Sequence, residues 1–342
     1  MKKKIFFIAL LSSRLIFGQD IHFSQLPMAP LALNPALAGA NFTHQGGLVY
    51  RDQWKNSQAQ FTTIYAGYDQ RFYGKTNKGF TGAGIHFYSD KVGDSKMTTN
   101  YAGITLGYHV TINPQQHLGL CLQPSYGQRS VDYSALRWGM QYDGSGYNSS
   151  LTTGELSGAN NRYGYFDMNA GIVYTFKSSE HYMTANDHKL LNIGYSLSHI
   201  NRPKYTFYGL ADERLYMRHT AFVNASIGLK NTKLSLMPGF YAMIQGSQKE
   251  ILAGTYLRYT LQDNSVYTGI KKGSAFSLGG FYRAGDAMVL KALIEWSQMA
   301  MGFAYDLNMS SYTKASNGRG GFELTLRLVS PNPFSSSSKS RI

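Results

Sequence analysis

Residues 101–110 read YAGITLGYHV, and the fold turns on how they are read. Ala102, Ile104, Leu106, Tyr108 and Val110 fall on one side of an extended chain. Tyr101, Gly103, Thr105, Gly107 and His109 fall on the other. This period-two alternation is that of a β-strand with one apolar face. YFDMNAGIVYTF (165–176) repeats it: Phe166, Met168, Ala170, Ile172, Tyr174 and Phe176 alternate with Asp167, Asn169, Gly171, Val173 and Thr175. NIGYSLSHI (192–200), HTAFVNASIGL (219–229) and FELTLRL (322–328) follow suit.

Extended along the chain, the pattern predicts strands near 45–53, 61–72, 79–89, 98–110, 116–128, 163–176, 188–199, 217–229, 233–245, 249–262, 274–284, 287–297, 299–309 and 319–329. A weaker segment, 265–271, is set aside, because a bacterial barrel with both termini in the periplasm has an even strand count. With the first strand running outward, the long loops 129–162 and 200–216 fall on one side, as do 54–60, 90–97 and 310–318. The short links 73–78, 111–115 and 230–232 fall on the other. Long loops mark the external side of a barrel. The links 177–187 and 263–273 are longer than periplasmic turns usually are.

An apolar face can meet lipid in a membrane barrel or form the core of an exported sandwich. Three features favour the barrel. The first is export: Lys2, Lys3 and Lys4 precede the short apolar run IFFIALL, and Gly18 offers a cut before Gln19, so 1–18 reads as a signal peptide. The second is composition: 26 Tyr, 19 Phe and 36 Gly against 15% charged residues is too few charges for an ordinary soluble surface. The third is the second face of each strand, rich in Gly, Ser, Thr and Asn, with Tyr and Phe near strand ends where interfacial girdles lie. No apolar run in the mature chain is long enough for a spanning helix. The lone Cys121 makes no internal disulfide.

The formal charge of +14 drops by four with the leader and stays basic. In an exported chain that points to anionic headgroups or an acidic partner rather than nucleic acid. Arg258, Arg283, Glu323 and Arg327 fall on the polar face, where inside a barrel they either make a basic lumen or pair with acids. No G-x-S-x-G, H-E-x-x-H or P-loop is present. Gly82 and Gly84 read as close packing at the wall. YDGSGYN (142–148) reads as an external turn, since it lacks the closing acid of a calcium loop. His181 and His188 show no metal spacing. The expectation is a non-enzymatic protein with no cofactor.

The N-terminus of the mature chain carries FSQLPMAPLALNPALAG (23–39), whose Pro27, Pro30 and Pro35 exclude a regular helix or central strand. Together QDIHFSQLPMAPLALNPALAG, YRDQW (50–54), RHTAF (218–222) and YDLNMSSYTKASNGRGGFEL (305–324) resemble the PorP/SprF family of outer-membrane proteins, and the resemblance covers the whole mature chain. The matching positions are Phe23, Ser24, Gln25, Pro30, Leu33, Asn34, Pro35, Ala36 and Gly39, then Tyr50, Arg51, Gln53 and Trp54. At the far end they are Tyr305, Asp306, Asn317, Gly318, Arg319, Gly320, Gly321, Phe322 and Glu323. The chain continues past its last strand into a Ser-rich tail, which departs from the family pattern.

The resemblance implies an all-β, closed antiparallel transmembrane barrel of the type IX secretion system in the outer membrane. It also implies partners: secreted adhesins with a C-terminal targeting domain, other secretion components, and outer-membrane lipid. The expected organisation is a signal peptide at 1–18, a plug or docking segment at 19–44, a barrel at 45–330 and a disordered tail at 331–342. The segment 23–39 is expected at the periplasmic mouth, with Asn34 capping a helical turn begun by Pro35, Leu31, Leu33 and Leu37 packed on the barrel, and Gly39 releasing the chain. It serves either as a lid or as a docking strip. Trp138, Tyr142 and Tyr147 in one long loop and Tyr205, Phe207 and Tyr208 in the other, with Tyr216, are candidate partner anchors, or belt residues in the case of Trp138 and Tyr216. A small-solute channel is the alternative function.

Overall fold

The computed structural model describes residues 20–54, 60–74, 78–93, 95–132, 136–154, 161–178, 186–207, 213–263, 273–309 and 319–330. Fourteen strands form one closed barrel. They are β1 (His44–Gln53), β2 (Phe61–Tyr73), β3 (Gly79–Val92), β4 (Met97–Asn113), β5 (Gln116–Ser130), β6 (Arg162–Ser178), β7 (Lys189–Ser198), β8 (Arg218–Gly228), β9 (Leu234–Gln245), β10 (Gln248–Gln262), β11 (Ser274–Arg283), β12 (Ala287–Trp296), β13 (Met299–Asn308) and β14 (Arg319–Ser330). Each pairs antiparallel with its sequence neighbours, and β1 closes on β14 with Arg51 opposite Glu323. All fourteen expected strands are present. The segment 265–271, the signal peptide and the tail lie outside the described residues.

The alternation read from 101–110 is obeyed on β4: Ile104 is 63% exposed and Leu106 60%, whereas Thr105 and His109 are 0%. The exposed face of the wall is built from Leu, Ile, Phe and Tyr. In hydrocarbon every backbone polar group needs an internal partner, and closure supplies it for strands. Among the described residues no helix is long and apolar enough to cross a membrane.

The inward face departs from the expectation of small and polar residues. Tyr65, Tyr88, Tyr101, Tyr165, Tyr241 and Tyr256 are buried inside. The reason is the N-terminal segment, which occupies the lumen and packs against these rings. Phe23, Leu31, Leu33 and Leu37 are at most 4% exposed. Phe23 meets Tyr65 edge-on with ring centroids 5.8 Å apart.

Three single helical turns, Leu26–Met28, Pro30–Leu33 and Pro35–Leu37, fold this segment. Each has a proline at its start, where the missing N–H is no loss. The wall makes room with inward glycines. A β-carbon at Gly82 would overlap the Ala38 carbonyl, one at Gly171 the Asn34 side chain, and one at Gly302 the Gln25 side chain.

Candidate functional site

The segment is pinned at three levels along the lumen. At the periplasmic level Gly39 has φ +67, a turn that glycine makes freely. Its N–H donates to Asp69 Oδ1 at 2.8 Å, while Arg71 Nε and Nη2 donate to the Gly39 and Ala40 carbonyls at 2.7 and 2.6 Å. His109 Nε2 lies 2.9 Å from the Ala38 carbonyl.

In the middle, Asn34 caps the turn Pro35–Leu37 by accepting from Ala36 N at 2.8 Å. Its Nδ2 donates to the Ile172 and Tyr195 carbonyls at 3.1 and 3.2 Å. Asn34→Ala removes the cap and both wall bonds from a fully buried site. We expect it to destabilise the barrel by about 2–3 kcal/mol, read as a lower urea midpoint in micelles.

The upper level is a charged latch at the external ends of β1, β11, β13 and β14. Glu323 accepts the backbone N–H of Ser24 on Oε2 and of Gln25 on Oε1, both at 2.7 Å. Arg51 donates to Glu323 at 3.1 Å, to Asp306 at 2.8 Å and to the Ser24 hydroxyl at 2.7 Å. Ser24 Oγ donates in turn to Asp306 Oδ1 at 2.7 Å. Arg283 completes the ring, donating to Asp306 at 2.9 Å and to Ser24 Oγ at 2.8 Å. These four charged side chains are at most 3% exposed. Buried charges survive only when paired and hydrogen-bonded, and here cations and acids balance.

Above the latch, Asp20 Oδ2 lies 2.6 Å from His199 Nε2, and His199 Nδ1 lies 2.7 Å from Asp167 Oδ2. Arg218 Nη1 is 3.4 Å from Asp20. His199 and Asp20 both lie outside the spanning strands. Burial pulls the His199 imidazolium down, but the Asp20 charge and hydrogen bonds to Asp167 and Asp20 outweigh it and lift its pKa from 6.5 to about 9. Burial pushes the Asp20 carboxyl up, yet His199 and Arg218 hold it below the usual carboxylate range.

A raised histidine stabilises fully below pH 6.5, and its contribution fades as pH climbs through about 9. The depressed Asp20 contributes above its ordinary 3.8 and loses that only on further acidification. We therefore expect the temperature at which heat-modifiable gel mobility converts to fall between pH 7 and 10, and His199→Gln to flatten that fall.

The family-motif residues are thus brought together. Ser24, Gln25, Arg51, Gln53, Asp306 and Glu323 converge, with Arg51 Nη2 donating to Gln53 at 3.3 Å. Tyr50, Tyr305 and Phe322 point outward at 39%, 40% and 41% exposure, on the lipid side. Trp54 packs on Phe61 with ring centroids 5.5 Å apart. Gly320 allows close approach of the Asp306 carbonyl, Gly321 pairs with Gln53, and Arg319 opens β14. Asn317 and Gly318 lie outside the described residues.

Of the inward charges, Arg283 and Glu323 enter the latch, and Arg258 pairs with Glu295 at 2.6 Å. The placement at the periplasmic mouth is corrected: it describes Ala38–Ala40, whereas Asp20–Gln25 lie at the external end. The luminal carboxylates draw the backbone amides of Ser24 and Gln25 that far.

The loop aromatics also need correction. Tyr142 and Tyr147 are exposed at 63% and 46%. Trp138 is half-buried, its backbone N–H donating to Gln141. Tyr205 and Phe207 fold inward instead, edge-on to Tyr163 at 5.8 and 4.8 Å, with Arg129 over the Tyr205 ring. Ring–ring contacts and the Arg129 guanidinium hold both half-buried. Tyr208 lies outside the described residues. Asp20, His199 and Asp167 carried no signal: Asp167 is one polar residue among several on its strand, and Asp20 and His199 meet it only in the folded chain.

A family model described as type IX secretion system membrane protein PorP/SprF matches residues 16–328. The chain belongs to the PorP/SprF family. The match includes residues 20–43, the segment that lies in the lumen. Among solved structures, this PorP/SprF barrel is similar to the Pseudomonas putida toluene transporter TodX, at 10% identity, over 91% of this chain and 93% of that one, with TM-score 0.47. BamA from Haemophilus ducreyi lacking POTRA domains 1–3 matches at 10% identity over 84% and 70%, with TM-score 0.41. The β domain of the Bordetella autotransporter BrkA matches at 9% identity over 84% and 99%, with TM-score 0.36. A search of curated proteins finds no match. The chain is an outer-membrane β-barrel of the type IX secretion system.

Proposed function

We propose that this barrel assists secretion of large adhesins, or of other cargo with a C-terminal targeting domain, and holds them at the cell surface. The observation that supports this reading is the filled lumen: residues 20–43 occupy it and are latched at both ends. A blocked barrel suits an anchor. The alternative, a small-solute channel, needs the segment to leave. Partners are the cargo, engaged from outside, and other secretion components. The reading is non-enzymatic and needs no cofactor.

Tyr142 and Tyr147, joined by an isolated antiparallel bridge within the external loop, are the exposed aromatics best placed to grip cargo. Exchanging residues 136–154 for a Gly/Ser linker is expected to abolish surface retention of the adhesin, scored on whole cells by antibody, while the barrel still assembles. Unchanged retention would sink the assignment. In planar bilayers the intact protein is expected to be silent, and a stable conductance would favour the channel.

A further inference from the structure

A cavity of about 120 Å³ remains between the lumen segment and the wall of β7–β12 and β14, running from Gln25 and Phe281 down to Asn41, Phe42 and Arg327 on the periplasmic side. One side is apolar: Met28, Pro30 and Leu37 face Tyr256, Phe281 and Leu293. The other side is charged, with Arg258 on β10, Glu295 on β12 and Arg327 on β14. Arg258 Nε donates to Glu295 at 2.6 Å, but Arg327 Nη2 approaches that carboxylate only to 3.8 Å. Two guanidiniums therefore share one acid. Among the lining residues two buried donors have no acceptor, Arg327 Nε and Gln25 Nε2, and one buried acceptor, Asn41 Oδ1 on the periplasmic side, has no donor. Unpaired buried donors are costly, so the cavity favours an acceptor. A guanidinium takes a planar carboxylate in two parallel bonds. The volume is near the roughly 150 Å³ that admits a benzene-sized guest, which is one apolar side chain. Asn41 and Phe42, where the segment turns into β1, line the cavity on the periplasmic side.

We infer that this cavity binds the C-terminal residue of a peptide from the periplasm. The free carboxylate lies against Arg327 and Arg258, and an apolar side chain enters the Tyr256–Phe281–Leu293 niche. A short fatty acid presents the same carboxylate and apolar body, so the test separates the two sources. The full mature chain in micelles is titrated calorimetrically with acetyl-Gly-Phe acid, with its C-terminal amide, and with hexanoate. The acid is expected to bind saturably, with the amide and hexanoate each weaker by at least about tenfold, the worth of a charge-assisted contact.

Arg327→Gln is expected to weaken the acid by about the same factor, with heat-modifiable mobility unchanged. Should that variant not fold, Ser226→Phe, at a lining position on β8, fills the cavity and is expected to abolish binding. Equal affinity for acid and amide, or no saturable binding by the unaltered barrel, overturns the proposal. Hexanoate as tight as the peptide acid overturns the peptide as the source.

Discussion

Glu323→Gln destabilises the mature barrel by about 3–5 kcal/mol and loosens residues 20–25, because it removes one partner from a buried ionic network. The carboxylate accepts two successive backbone N–H groups at 2.7 Å and Arg51 at 3.1 Å. An amide keeps one acceptor oxygen and turns an NH2 toward groups that are all donors. Each charge-assisted bond is worth about 1.5–3 kcal/mol, so the losses reach that range before any repacking. Urea unfolding in micelles measures the change. Arg51→Gln should cost a similar amount. The double variant should cost less than the sum, since both residues belong to one network. Additive costs would show that Arg51 and Glu323 act independently, contrary to the geometry.

Deleting residues 20–41 opens the barrel. The deletion removes the buried Phe23, Leu31, Leu33 and Leu37 and the contacts they make with the inner wall. It also uncaps Arg51, Arg283, Asp306 and Glu323, which then hydrate and hold water in the lumen. Single-channel current in planar bilayers is expected to rise by at least about tenfold over the intact protein, since a fourteen-strand wall is only two strands short of water-filled porins. A truncated barrel that folds yet stays silent would mean that the inward tyrosines close the lumen unaided.

The strand plan was legible because lipid enforces the alternation: YAGITLGYHV cannot shift by one residue without turning Thr105 and His109 toward hydrocarbon. Asn34 before Pro35 was legible for a local reason, as cap and first helical residue are adjacent. The latch was visible only as fragments. YRDQW and GGFEL stand out as motifs, but Arg51 and Glu323 are 272 positions apart and meet only when β1 closes on β14. The depth of the segment was not legible, since period-two patterning reports which face is inside and not what fills the inside. For the same reason the run of buried tyrosines on the inner face was not anticipated, although Tyr101 was placed on that face. Tyr205 and Phe207 were misread because a loop's sequence does not say whether its aromatics find an apolar neighbour.

The latch draws its side chains from the first strand, from β11 and from the last two, and its backbone amides from the stretch ahead of the first. Ring closure and occupation of the bore are thereby a single cooperative act, completed only when the final hairpin arrives. A chain cut short before Arg319 would be left with an open seam and an untethered leading end, and neither defect could be mended without the other.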